Sequence, residues 1–149
     1  MKSSRTILGV LVCVLVIAAV GLLYRERITT STPTPSSTPL ADDMIIIDSP
    51  LPNGVVTSPM KVTGRARGTW YFEATFPITL TNWDGLIIAE TYATAKSDWM
   101  TTDWVPFEAT VVFDADTRVS SRGFLILKKD NPSGLPQYDD AREITVFFK

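Results

Sequence analysis

The sequence predicts an all-β domain, an antiparallel sandwich of about seven strands behind an apolar N-terminal helix and a Ser/Thr/Pro-rich linker. Three observations predict it. From Met44 onward, apolar residues recur with period two. Clusters of turn-forming residues (SPLPNG, GRARG, NWDG, DADT and NPSGLP) interrupt the alternation at short intervals. No segment of this region sustains a helical period.

The chain begins with an apolar run. Thr6 to Tyr24 (TILGVLVCVLVIAAVGLLY) carries no charge. As a helix it would rise roughly 28 Å, close to the hydrocarbon thickness of a bilayer. A cleaved signal peptide should turn small and polar after its apolar region, yet Leu22, Leu23 and Tyr24 stay apolar. A lipoprotein signal needs a small residue before the modified cysteine, and Val12 precedes Cys13. The remaining reading is an uncleaved single-pass anchor over residues 1–27, contacting the bilayer through residues 6–24. Lys2 and Arg5 flank one side and Arg25 and Arg27 the other, so charge alone does not orient it. The free amino terminus favours N-terminus inside, with the C-terminal part extracytoplasmic.

Residues 28–43 follow as a linker. In Thr29 to Leu40 (TTSTPTPSSTPL), eleven of twelve residues are Ser, Thr or Pro. Such a stretch buries no core, and its prolines favour extended polyproline conformations. At about 3.1 Å per residue it spans roughly 50 Å, the reach of a stalk.

The domain is assigned to residues 44–149. Met44 to Ile47 is a short opening strand. Met60, Val62 and Gly64 alternate against Lys61, Thr63 and Arg65. Thr69 to Thr81 (TWYFEATFPITLT) reads as one strand, with Trp70, Phe72, Ala74, Phe76, Ile78 and Leu80 inward and Pro77 marking an edge or bulge. Leu86 to Ala95 is β-like with no clear inward face. Phe107, Ala109, Val111 and Phe113 alternate, as do Ile144, Val146 and Phe148. Phe124 to Leu127 is apolar on both faces and should be central. Short antiparallel strands in this number and spacing match an immunoglobulin-like sandwich, here without an inter-sheet disulfide.

Composition excludes several function classes. The net charge of −2 gives no field for nucleic acid. Histidine is absent, which removes the commonest general base and metal ligand and any Ser/His/Asp set. The single cysteine, Cys13, can form neither an intrachain disulfide nor a redox pair. The expected cofactor list is empty, and the expected class is non-enzymatic.

The segments SPLPNGVVTSPMKVTGRARGTW, DWMTTDWVPFEATVVF and GFLILKKDNPSG occur in that order between Ser49 and Gly134. Together they resemble the bacterial immunoglobulin-like domain first described beside spore-germination (GerM-type) domains. The resemblance covers Met44 to Lys149. It implies an extracytoplasmic immunoglobulin-like module, often tethered, with no known enzymatic activity. It carries over no ligand. No GerM-type stretch and no lipid-modification site accompany it in this sequence.

If successive strands are antiparallel, GRARG, residues 97–106 and residues 131–140 gather at one end, with NWDG and DADT at the other. The first end supplies the candidate binding residues Arg65, Arg67, Asp98 and Trp99. An indole beside a carboxylate suits a glycan or peptide, and the arginines suit an anionic partner. The bland alternatives are packing and solvation. Trp104, leading into Val105-Pro106-Phe107, is expected to plug the sandwich, Trp70 to be core and Trp83 to sit on a rim. If Gly68 centres a hairpin, Arg65 lies near Tyr71 and Thr63 near Glu73. Asp114, Asp116, Asp139 and Asp140 read as solvated turn carboxylates, because no calcium-loop spacing surrounds them. Asp98 and Asp103 as a glycosidic pair lack a supporting cleft. The expected function is a tethered envelope module that binds a protein or glycan. The alternative is a structural accessory, linked to sporulation or germination, that works through a sheet face or edge.

Overall fold

The computed structural model describes residues 38–149, so the expected anchor, Cys13 and most of the linker lie outside the described residues. The chain divides into two units, Met1–Pro33 and Thr34–Lys149, and every described residue belongs to the second. Among the described residues no helix is long and apolar enough to cross a membrane.

Nine strands form one continuous, curled sheet in the order β1-β2-β4-β7-β6-β5-β8-β9-β3. They are β1 (Leu40–Ala41), β2 (Ile45–Ser49), β3 (Gly54–Val56), β4 (Met60–Arg67), β5 (Thr75–Asn82), β6 (Ile87–Ala95), β7 (Trp104–Val111), β8 (Arg122–Lys128) and β9 (Ala141–Phe148). All neighbours are antiparallel except β3 and β9, which run parallel. The curl folds the sheet into two layers. One is β1-β2-β4-β7 and the other is β6-β5-β8-β9-β3; the sheet is continuous between them where Thr94 and Ala95 of β6 meet Glu108 and Phe107 of β7, extended by the Lys96 amide donating to the Pro106 carbonyl at 2.8 Å.

The period-two pattern produces this shape by sending one face of each layer inward. Ile45 and Ile47, Val62 and Ala66, Phe76, Ile78 and Leu80, Val105 and Phe107, Leu125 and Leu127, and Ile144 and Val146 are all buried. Phe76 of β5 meets Phe107 of β7 edge-on across the layers, with ring centroids 5.0 Å apart. Trp70 is fully buried and packs edge-on against Phe76 at 6.4 Å. Its Nε1 donor has no partner.

Two short strands exceed the expected seven. β1 falls inside the stretch that composition assigns to the linker. Asp42 orders it, because its Oδ1 accepts the Met44 and Ile45 amides at 2.7 and 2.8 Å. β3 follows a chain reversal that contains the cis Ser49–Pro50 peptide.

The expected single strand from Thr69 to Thr81 is broken. Gly68–Trp70 forms a 3-10 turn, and Phe72 and Thr75 close a two-residue turn with both backbone hydrogen bonds at 3.0 Å. Glu73 and Ala74 take left-handed φ values of 50° and 62° there. The turn throws Phe72 outward, against the expected inward position, and it is exposed. The alternation resumes only at Phe76. Pro77 pairs with Tyr92 of β6, while the ladder to β8 starts one residue later at Ile78. Its missing amide donor therefore falls where β5 has one neighbour. Phe124–Leu127 is central as expected, with β5 on one side and β9 on the other.

Candidate functional site

The loop end assembles as strand parity predicts. The Gly68 amide donates to the Asp103 carbonyl at 3.1 Å, and the Asp130 amide donates to the Trp70 carbonyl at 3.0 Å. A Cβ on Gly68 would overlap the carbonyl oxygens of Thr101 and Trp99, so the 97–103 loop lies on bare backbone there. The Tyr71 hydroxyl donates to the Val105 carbonyl at 2.8 Å and locks the crossover segment to β7. Burial pushes the Tyr71 phenol well above its ordinary pKa.

The four candidate residues do not converge. Arg65 and Arg67 lie on the outer face of β4, opposite Pro106 and Trp104 of β7. The chain crosses from one layer to the other after β4 instead of forming a β4–β5 hairpin, so Arg65 lies between Ile46 and Pro106 and not beside Tyr71. The Arg67 guanidinium stacks 4.2 Å from the Trp104 ring, and its Nε donates to the Asp43 carbonyl at 3.1 Å. Both groups are thus already partnered within the domain. Asp98 is exposed and closes its own turn, accepting the Met100 amide at 3.0 Å. Trp99 is half-buried against the core edge, leaving Met100 as the exposed apolar side chain of the loop.

The expectation that Trp104 plugs the sandwich is overturned. Val105 and Phe107 point inward, so the alternation sends Trp104 outward, where it lies half-buried under Arg67. Such a stack contributes about 0.5–1 kcal/mol at an exposed site. The hollow beside Trp99 is shallow, about 360 Å³, and is lined by Gly68, Thr69, Tyr71 and residues 99–102. Its walls hold no cluster of charges.

Sequence reasoning missed a different surface, the outer face of the five-stranded layer. Cross-strand partners share a face, so the registers define its rows. Ile87, Thr81, Phe124 and Thr145 form one row, and Glu90, Thr79, Ile126 and Glu143 the next. Arg122, Phe147 and Val55 form a third. Trp83 lies over Phe124, with centroids 6.4 Å apart, and carries the Arg122 guanidinium 3.7 Å from its own ring. Val55, Trp83, Ile87 and Tyr92 are each more than half exposed, at 62%, 52%, 53% and 62%.

The outer face of the other layer is polar by contrast. It presents Lys61, Thr63, Arg65 and Glu108, and Lys61 pairs with Glu108 at 2.9 Å. Near the apolar face, the NWDG and DADT turns enclose a recess of about 270 Å³ lined chiefly by Leu86, Ile88, Ala115, Val119 and Phe148. The signal that could have exposed this face is in the sequence: Ile126 and Phe124 alternate with two buried leucines, so a strand apolar on both sides has one apolar side left over.

Asp116 is held by Arg118 through two hydrogen bonds at 2.9 and 2.8 Å. Among the described residues no group of His, Cys, Asp or Glu is placed to hold a metal ion.

The family model for the immunoglobulin-like domain of bacterial spore germination matches residues 44–134. No curated protein and no solved structure matches the chain. The match spans β2 through β8 and ends before β9, the strand that completes the five-stranded layer. The chain therefore belongs to the family of immunoglobulin-like domains of bacterial spore germination.

Proposed function

We propose that the protein is a non-catalytic interaction module of the bacterial cell envelope, tethered by residues 6–24 with its domain extracytoplasmic. The observation that carries this reading is the apolar outer face built from Val55, Trp83, Phe124, Ile87 and Tyr92. A broad face with exposed aromatic and aliphatic side chains, interspersed with Glu90, Glu143 and Arg122, suits a folded protein partner better than a small molecule, which needs an enclosing pocket. Arg122, stacked on Trp83, adds a rigid cation at its border. The family membership supports a non-catalytic role.

The alternative, an accessory subunit of an envelope assembly linked to germination, uses the same face. It differs in predicting that no partner survives outside the assembly. The test is co-purification of full-length protein from detergent-solubilised membranes. Trp83→Ala with Val55→Asp should abolish capture of the partner, while Arg67→Ala with Trp99→Ala should leave it intact. The reverse pattern would return the site to the loop end.

A further inference from the structure

The geometry points to self-association of this chain through the free edge of β6, joining the five-stranded layers of two copies into one sheet. β6 pairs with β5 along its length but with β7 only at Thr94 and Ala95. From Ile87 to Ala93, among the described residues, no strand covers its other side. The two ends of the sheet are guarded by brevity, since β1 has two residues and β3 has three. β6 has nine residues and no such guard. It contains no proline or lysine, and Glu90 is its only charge. Ile87, Ile88, Thr91 and Tyr92 all favour extended backbone.

The occupant follows from register. Antiparallel partners must share a face, so a two-fold pairing of identical strands has to centre on a residue. Centring on Glu90 would set two carboxylates opposite each other. Centring on Tyr92 would use Thr94 and Ala95, which already bond to β7. Centring on Ala89 would run through Ile88, the extra residue where the β5 register shifts. Centring on Thr91 avoids all three conflicts. It sets Ala89 opposite Ala93, and Glu90 opposite Tyr92, whose phenol can donate to the carboxylate. The strand is thus complementary to a second copy of itself in one register only. The apolar outer faces of the two layers then become continuous.

The test uses the full-length chain in detergent with Cys13→Ser, which removes the single native thiol. Thr91→Cys in that background should give a disulfide dimer as the main species under mild oxidation, because directly opposed residues of an antiparallel pair have Cα atoms about 4.5–5.5 Å apart, within the span of a disulfide. Ile87→Cys should stay monomeric, because its two copies would lie roughly 27 Å apart along the pair. Adding Tyr92→Glu to the Thr91→Cys chain should cut the dimer yield at least tenfold, since carboxylates then oppose Glu90. Three results would overturn the proposal: no Thr91 dimer, equal cross-linking at Ile87, or capture of a different protein by the Thr91 thiol.

Discussion

Replacing Asp42 tests how the domain is closed at its N-terminal edge. Asp42 precedes β2, and its Oδ2 accepts from Arg142 of β9, one hundred residues later. Arg142 also donates to Asp140 and lies 5.4 Å over the Trp70 ring. Burial pushes the Asp42 carboxyl up, but the Ile45 amide, Arg142 and the Met44 amide together outweigh it and hold it below the usual carboxylate range. Asp42→Asn keeps an acceptor for the two amides and loses the charge. With both ion-pair side chains about a quarter to a third exposed, screening limits that loss to about 1 kcal/mol. Asp42→Ala also strands the two amides, at about 0.5–1.5 kcal/mol each, for a total of about 2–4 kcal/mol.

A domain of this size should then melt about 4–8 °C lower for Asn and about 8–30 °C lower for Ala at pH 7. The pH dependence has a definite sign. A carboxyl with a depressed folded pKa stabilises above its unfolded value, and that stability is lost as pH falls through the folded one. The gap between the wild type and Asp42→Asn should therefore begin to narrow below about pH 4 and close as pH falls through the depressed folded value. Thermal melts by circular dichroism at pH 7 and pH 3 decide the matter. A loss under about 0.5 kcal/mol for Asp42→Ala, or a gap unchanged at pH 3, would refute the reasoning.

Further outcomes are expected elsewhere. Gly68→Ala should cost about 2–4 kcal/mol, because a Cβ there meets the carbonyls of Thr101 and Trp99, and tryptophan fluorescence should report the displaced loop. Ala74→Gly should raise the melting midpoint by a few degrees, because glycine removes the cost of a left-handed alanine, about 1 kcal/mol. A double-mutant cycle on Arg67 and Trp104 should return about 0.5–1 kcal/mol of coupling and no effect on partner capture.

Much of the fold was legible because burial and period coincide. Val62, Phe107, Leu125 and Ile144 alternate with polar or half-buried neighbours, and each lies in the core. Parity also placed the loops correctly, because it needs only strand count and direction. It failed where the backbone leaves the strand without a compositional sign. Glu73 and Ala74 are ordinary residues in left-handed conformation, and neither glycine nor asparagine announced the turn that expels Phe72. Leu40–Ala41 is too short to show any period.

The candidate site was less legible. A tryptophan beside a carboxylate draws attention in a sequence, yet Asp98 is spent on its own turn and Trp104 on Arg67. The apolar face is dispersed over five strands, from Val55 to Phe147, and becomes one surface only through the registers. Sequence order hides that adjacency.

The most direct measurement is oxidative footprinting of Trp83 and Tyr92 in intact membranes against the purified protein. If the outer face is the interaction surface, both side chains should be modified several-fold more slowly in membranes, while Met100 at the loop end should react equally in the two states. Equal labelling of Trp83 and Tyr92 in both states, with protection at Met100 instead, would contradict the account.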